Sequence, residues 1–212
     1  HRLSRHYRWI RFRGEGHSPR GTSETSQRSR QITAAIKAGR VSQIEAAIPR
    51  LQEPAATVLQ PFLNPAVTLV PVPRSAPLRE DALWPSKVIA DVLQAAGYGG
   101  TVSPLLERIT AVRKSSAAPA GECPLIPEHK ASLQVRAELL IPEQITLIDD
   151  VLTMGRTTAA CAELLQDHYP HSTIRIFAMM RTQGFVQDID AVVDPSVGII
   201  QTYDSGKCYR NP

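Results

Sequence analysis

Short apolar runs alternate along this chain with stretches of helical periodicity. The apolar runs are rich in β-branched residues, which favours buried strands, and the periodic stretches between them favour helices. The predicted strands are residues 66–72, 101–106, 145–148, 174–180, 192–193 and 199–200. The predicted helices are one that ends before Gly39, residues 41–48, residues 81–96, and one that carries residues 160–168. This alternation predicts an α/β fold with a doubly wound, mostly parallel sheet and a site at the strands' carboxyl ends.

The first sixty residues do not share this alternation. Residues 1–23 contain three glycines and a proline and predict strand fragments and loop, with two short helices after them. We therefore expect a basic N-terminal arm with a helical cap or hood over residues 1–60, and an α/β domain over residues 61–212. Residues 110–130 are aperiodic and rich in Ala, Ser and Pro, which predicts a flexible lid loop inside that domain.

Positive charge is concentrated at the start of the chain. Residues 1–40 carry a net charge of +8, from ten Lys and Arg against two Glu, whereas the remainder carries −4. An arginine-rich segment of this kind favours an anionic partner such as nucleic acid. The alternative is a solvated arm that binds nothing.

Composition excludes several other classes of protein. The 212 residues are 42% hydrophobic and 21% charged, as in ordinary globular proteins. Three widely spaced cysteines, Cys123, Cys161 and Cys208, provide neither a disulfide framework nor a zinc motif. The apolar runs are too short to cross a bilayer, so we expect a cytoplasmic protein with no membrane partner.

The segment with the most specific chemistry is residues 145–158, Ile-Thr-Leu-Ile-Asp-Asp-Val-Leu-Thr-Met-Gly-Arg-Thr-Thr. A buried strand is followed by two carboxylates, Asp149 and Asp150, and a turn containing Gly155 leads into a helix. The free amides at that helix start favour a phosphate, and the hydroxyls of Thr153 and Thr157 add donors. Sugar hydroxyls can donate to the two acids. The segment therefore predicts a site for ribose 5-phosphate.

Three other interpretations of this segment exist. One is an ordinary capped helix with an incidental Asp pair, although buried strands rarely end in two uncompensated carboxylates. Another is a metal site, with Asp149 or Asp150 as a ligand of Mg²⁺. The third is a phosphatase-like enzyme with an Asp-Asp pair, which leaves the Thr-x-Gly-x-Thr turn unexplained.

Two blocks resemble a known family. Four apolar residues, Asp-Asp, two apolar residues and Thr-x-Gly-x-Thr resemble the phosphoribosyl pyrophosphate (PRPP) signature of type I phosphoribosyltransferases, with Met154 where many members have a second Thr. Residues 69–75, Leu-Val-Pro-Val-Pro-Arg-Ser, resemble the matching block of ComF-like and bacterial amidophosphoribosyltransferase-like proteins. The resemblance covers roughly residues 66–182 and lacks the four-cysteine zinc module of ComF proteins.

The resemblance implies the type I phosphoribosyltransferase fold and a Mg²⁺-dependent transfer of ribose 5-phosphate from PRPP to a small-molecule acceptor, with release of pyrophosphate. A homodimer is common among the resembling proteins. The implied catalytic residues are Asp149, Asp150 and Lys114, of which the two acids are also the implied Mg²⁺ ligands, directly or indirectly. The implied 5′-phosphate residues are Thr153, Met154, Gly155, Arg156 and Thr157. The implied pyrophosphate residues are Arg74 and Ser75, with Arg113 beside Lys114 as a further cation of the lid.

The family also contains regulators. The alternative function is a non-catalytic PRPP or nucleotide sensor, or a ComF-like protein that binds nucleic acid through residues 1–40. Residues 18–22 are a candidate hood, and residues 204–208 a candidate substrate-side loop. We expect Cys208 to be inert, and His129, His168 and His171 to have surface or helix-face roles, because their spacing matches no metal motif.

Overall fold

The computed structural model describes residues 3–11, 23–113, 123–138, 140–182 and 196–211. The strands are β1 (Leu3–Arg11), β2 (Asn64–Pro71), β3 (Gly99–Val102), β4 (Leu106–Arg108), β5 (Leu133–Val135), β6 (Gln144–Leu152), β7 (Thr173–Arg181), β8 (Ser196–Tyr203) and β9 (Cys208–Asn211). The α-helices are α1 (Glu24–Lys37), α2 (Val41–Glu45), α3 (Pro85–Ala95), α4 (Ile126–Ala131) and α5 (Arg156–His168). Two short 3₁₀ helices, Ile48–Gln52 and Pro54–Leu59, connect α2 to β2.

The main sheet has seven strands in the order β3-β2-β6-β7-β1-β8-β9. The five strands from β3 to β1 run parallel to their neighbours, and β8 and β9 are added antiparallel at the far edge. Strands β4 and β5 form a separate antiparallel pair. The expected α/β fold with a mostly parallel sheet is therefore confirmed.

The N-terminal segment corrects one expectation. Residues 3–11 are not an arm outside the domain: β1 lies inside the main sheet, parallel to β7 on one side and antiparallel to β8 on the other. The strand fragments predicted for residues 1–23 thus include one strand, and its place inside the sheet was missed because charged residues interrupt its apolar pattern. The division of the chain into two domains at residue 60 stays a prediction, and the candidate hood at residues 18–22 lies outside the described residues.

Helices cover both faces of the sheet because the buried strands are apolar on both sides. In β6, Ile145 and Leu147 belong to the core packed under α5, whereas Ile148 belongs to the core under α1 to α3. Thr146, on the same face as Ile148, donates its hydroxyl to the carbonyl of Phe62 at 2.7 Å. The expected helical cap is thus a layer packed on one face of the sheet.

Several predicted boundaries shift. The predicted helix 81–96 begins only at Pro85, because Trp84 stands at its N-cap and donates its indole N–H to the carbonyl of Val72 at 2.8 Å. The predicted strand 101–106 is divided between β3 and β4. The predicted lid loop 110–130 contains the greater part of α4, so it is not structureless throughout. The predicted strand 192–193 lies outside the described residues.

Across the described part of the chain, no helix is both long enough and apolar enough to cross a membrane.

Candidate functional site

A cavity of about 470 Å³ opens where β2 and β6 end and α5 begins. All the predicted site residues that the structure describes line this cavity. They are Arg74, Ser75, Asp149, Asp150, Thr153, Met154, Gly155, Arg156 and Thr157. The remaining one, Lys114, lies outside the described residues. The strand register explains this convergence, since Pro71 pairs with Ile148 and the segments after the two positions therefore leave the sheet side by side. Sequence-distant blocks thus meet at one edge, as in other parallel sheets.

The acid pair lies within β6 rather than after it. The predicted strand ended at Ile148, but pairing with β7 continues to Leu152, so both acids are half-buried strand residues. The amide of Asp150 donates to Oδ1 of Asp149 at 3.0 Å. Burial first, and then the negative charge of Asp150, raise the pKa of the Asp149 carboxyl well above its usual value. The pair can therefore carry a proton in the free protein.

The turn at residues 153–157 requires glycine at one position. Gly155 is the N-cap of α5 and has a φ of 84°, in the left-handed region. A Cβ at this position would lie 2.6 Å from Cδ1 of Ile200, which is fully buried in β8. Both the backbone conformation and the approach of β8 thus exclude a side chain.

Two side chains of β9 donate hydrogen bonds to carbonyl groups of this turn and of Leu152 just before it. Arg210 donates to the carbonyls of Leu152, at 2.9 Å, and of Thr153, and the Cys208 thiol donates to the carbonyl of Met154 at 3.2 Å. Within the described residues, the backbone amides of the turn have no hydrogen-bond acceptor. Free amides at the start of a 13-residue helix form an anion-binding arrangement.

Cys208 and Arg210 were not predicted to support the site. Burial raises the pKa of the Cys208 thiol to about 11, so the thiol stays protonated and serves as a donor. Burial also lowers the pKa of Arg210, to about 10, which leaves its guanidinium charged at neutral pH. Residues 204–208, the candidate substrate-side loop, form the connection between β8 and β9 and the first residue of β9, and none of them lines the cavity.

Arg156 uses its side chain differently from its neighbours in the turn. Its Nη1 donates to the carbonyl of Cys123 at 2.8 Å and also approaches that of Pro124 at 3.4 Å. The guanidinium therefore ties the start of α5 to the segment that leads into α4.

Arg74 and Ser75 follow β2 and line the same cavity. The Arg74 guanidinium is exposed and donates through Nη1 to the carbonyl of Leu83 at 2.7 Å. The carbonyl of Ser75 accepts the amide of Val112 at 2.8 Å. Arg113, the other lid cation suggested by the sequence, also lines the cavity.

Three further lining residues were missed by sequence reasoning. Lys37, at the end of α1, lies near enough to Asp149 to oppose the rise of its pKa. Arg108 and His129 are 3% and 2% exposed, so the surface or helix-face role expected for His129 is corrected to a buried position in the cavity wall. Arg108 ends a three-residue strand and His129 lies in a six-residue helix; neither element is long enough to show periodicity.

The charges of the cavity favour an anionic ligand. Among the described lining residues, five Lys or Arg side chains stand against two Asp. No group of three His, Cys, Asp or Glu side chains in the described ranges could hold a metal ion by itself. The Asp149 and Asp150 carboxylates are nevertheless hard oxygen ligands, and Mg²⁺ commonly uses one or two carboxylates together with ligand phosphates and water. The donor set thus fits a Mg²⁺ ion that arrives with a phosphorylated ligand.

Comparisons with known proteins identify a similarity to a solved structure. No family model matches the chain, and no curated protein matches it. Among solved structures, a hypoxanthine phosphoribosyltransferase from Staphylococcus aureus is similar, with a TM-score of 0.38 and 14% identity over 71% of this chain and 70% of that chain. At this TM-score neither fold nor function is inferred from the similarity. Membership of the type I phosphoribosyltransferases therefore stays a prediction.

Proposed function

We propose that the protein binds PRPP in this cavity and transfers its ribose 5-phosphate group to a small-molecule acceptor, with release of pyrophosphate. The observation that carries the proposal is the turn at residues 153–157, whose amides have no acceptor among the described residues and which lines the cavity together with two carboxylates. A phosphate on the turn and sugar hydroxyls on the acids satisfy both groups together.

The two acids are assigned to the ribose. Each ribose hydroxyl donates to a carboxylate oxygen of Asp149 or Asp150, which fixes the ring while the turn holds its 5′-phosphate. Binding energy from these remote groups orients the reacting carbon. As the bond to pyrophosphate breaks, positive charge develops on the sugar ring, and the nearby negative charge of the acid pair stabilises it.

Arg74 and Ser75 are assigned to the pyrophosphate. They follow β2 and line the cavity, and Arg74 retains N–H donors beyond the one bound to Leu83. Negative charge grows on the pyrophosphate as it leaves, so a guanidinium there lowers the barrier. Lys114 is assigned to the same task on the sequence resemblance alone.

Mg²⁺ would be held by the Asp149 and Asp150 carboxylates together with the ligand, and when bound it supplies positive charge to the leaving pyrophosphate. The free Asp149 carboxyl must give up its proton for this, because only the ionised form ligates a cation. Lys37 favours that ionised form.

Calorimetric titration with PRPP, with and without Mg²⁺, tests the proposal. We expect binding to the wild type, and a loss of about 100-fold or more in the Asp149→Asn/Asp150→Asn double variant, since each lost hydrogen bond to a charged group costs about 1.5–3 kcal/mol. Asp91→Asn, in an exposed ion pair with Lys87 on α3, is the matched control and should bind as the wild type does. Undiminished binding in the double variant removes the proposal.

The regulator alternative predicts PRPP binding without pyrophosphate release, together with nucleic-acid binding through residues 1–40. Pyrophosphate release in the presence of candidate acceptors, measured by a coupled assay, distinguishes the two functions. Salt-dependent binding of DNA or RNA, lost when basic residues of this segment are replaced, supports the alternative. In both functions the PRPP site is the same.

A further inference from the structure

Beside the turn, the cavity lining contains buried nitrogen atoms that have no partner in the part of the chain that the structure describes. Among the described residues, Nη2 of Arg108, Nδ1 and Nε2 of His129, and Nε of Arg156 are buried without a hydrogen-bond partner. All three residues line the cavity. Buried polar atoms are nearly always hydrogen-bonded, and an unsatisfied one costs about 1–3 kcal/mol, more when it is charged. Three such residues on one wall therefore point to a ligand.

The side chains are held firmly enough to form a site. Nε of Arg108 donates to the carbonyl of Arg74 at 2.9 Å, and its Nη1 donates to the Ser132 hydroxyl and approaches the carbonyl of His129 at 3.4 Å. These bonds fix the guanidinium plane and leave Nη2 unused. Arg156 is fixed in turn by the carbonyl of Cys123.

The charges around His129 define what the site would accept. Arg108 of β4 and Arg156 of α5 face it with positive charge, and Glu128 of its own helix α4 is the acid that acts on it. The Glu128 carboxylate already accepts the amide of Leu125 at 2.6 Å. Burial first, and then Arg108, lower the pKa of His129 to about 4. At neutral pH the imidazole is therefore uncharged, and the positive charges of two guanidinium groups act on it.

We propose that Arg108 and His129 form a binding site for a tetrahedral oxyanion of the phosphate class, next to the start of α5. Nη2 of Arg108 donates to one oxygen of the anion, and a ring nitrogen of His129 donates to another. The site adds residues to the cavity of the proposed function and rests on that function only for the natural ligand, a phosphate group of PRPP. The inorganic anion is expected to bind whether or not the protein transfers ribose 5-phosphate.

Binding of such an anion has a second consequence. A dianion beside the imidazole favours its charged form, so it raises the pKa of His129. Proton uptake then accompanies binding in the pH range between the free and the bound pKa. A purely structural role of His129 in the packing of α4 predicts no such uptake.

Sulfate is the probe, because it does not titrate between pH 4 and 8. NMR titration of the histidine imidazoles, in sulfate and in chloride at matched ionic strength, should give a His129 pKa higher by about one unit or more in sulfate, as expected for an opposite charge at close range. His168, an exposed histidine in the last turn of α5, is the internal control, and its imidazole resonances should respond identically in the two salts. An equal His129 pKa in the two salts overturns the proposal.

Calorimetry with sulfate provides an independent readout. Arg108→Gln should weaken sulfate binding about 10- to 100-fold, which corresponds to the loss of one charged hydrogen bond. Arg136→Gln is the control. It removes an exposed guanidinium, directly after β5, that pairs with Glu107 of β4. Thermal unfolding verifies that both variants are folded. If Arg108→Gln does not fold, His129→Gln decides: loss of sulfate-linked proton uptake supports the site, and unchanged uptake contradicts it.

The outcome is separable from that of the proposed function. Sulfate binding that depends on Arg108, in a protein that does not bind PRPP, supports the oxyanion site and removes the transferase. PRPP binding that depends on Asp149 and Asp150 but not on Arg108, together with an unshifted His129 pKa, supports the proposed function and overturns the oxyanion site.

Discussion

Gly155 and Ile200 are in such close approach that a single added methyl group at Gly155 would lie 2.6 Å from Cδ1 of Ile200. Gly155 belongs to the turn of the candidate site, and Ile200 is a fully buried residue of β8. Strand β8 also pairs with β1, the first element of the chain. The geometry of the turn therefore depends on strands from both ends of the sequence.

Gly155→Ala should destabilise the protein by about 2–5 kcal/mol, because the left-handed conformation costs about 1–2 kcal/mol and the core overlap about 1–3 kcal/mol. Gly97→Ala is the matched control: its φ is 83°, but a Cβ there meets nothing within 4 Å. That variant should lose only about 1–2 kcal/mol. Urea unfolding measures both free energies. Equal losses in the two variants would show that contact with Ile200 does not constrain the turn.

Arg210→Gln should loosen the turn that Arg210 holds through the carbonyls of Leu152 and Thr153. Its Nη2 also donates to the carbonyl of Thr182 at 2.7 Å, so the variant loses several charge-assisted bonds and about 2–4 kcal/mol of stability. Ribose 5-phosphate binding should weaken in parallel. Calorimetry and thermal unfolding check the two effects. Retained affinity in a folded variant would mean that the turn keeps its shape without β9.

Asp149→Asn should increase stability at pH 7 while it removes binding. The raised pKa of Asp149 means that the folded state holds a proton that the unfolded state has released, so unfolding free energy falls as pH rises above about 4. The asparagine side chain of the variant does not titrate, so the variant does not lose this free energy of unfolding as pH rises. For a chain of this size each kcal/mol gained raises the Tm by about 2–4 °C.

Thermal unfolding between pH 4 and 8 measures this gain. The Asp91→Asn control removes an exposed carboxyl rather than a buried one, so it should show no increase in Tm. If the Tm of Asp149→Asn stays at or below that of the wild type across the range, the raised pKa of Asp149 is contradicted.

Acid destabilisation should depend on His129. Its pKa is about 4 in the folded state against an ordinary value of 6.5, so the unfolded state takes up a proton first as pH falls from about 6.5 to 4. The contribution of His129 to the unfolding free energy should fall in this window by up to about 3 kcal/mol. His129→Gln should flatten this part of the profile and His168→Gln should not. An unchanged profile in His129→Gln would place the titrating group elsewhere.

The sequence predicted the strand, turn and helix of the site because each is local. Apolar runs identified β2, β6 and β7, and the Asp-Asp and Thr-x-Gly-x-Thr spacing identified the residues that line the cavity beside β6. The parallel order also follows from alternation of strands and helices.

The parts that were missed depend on contacts between distant segments. Strand β1 contains several charged residues, so its position inside the main sheet is recognisable only through its pairing with β7 and β8. Arg108 and His129 lie on short elements, and their burial follows from packing of α4 and of the β4–β5 pair, through β5, against α5. Arg210 is separated in sequence by 58 positions from Leu152 and by 57 positions from Thr153, the residues whose carbonyls it binds. No local pattern encodes contacts over such a separation.

The most direct test of the proposed phosphate site is an NMR titration of the backbone amides with ribose 5-phosphate. Amides that donate to a phosphate move downfield, so we expect saturable downfield shifts at Thr153, Gly155 and Thr157 with a common dissociation constant. The amides of Gly97 and Gly99, remote from the cavity lining, should not move. Unmoved amides throughout residues 153–157 at saturating ribose 5-phosphate would contradict the phosphate site and the function built on it.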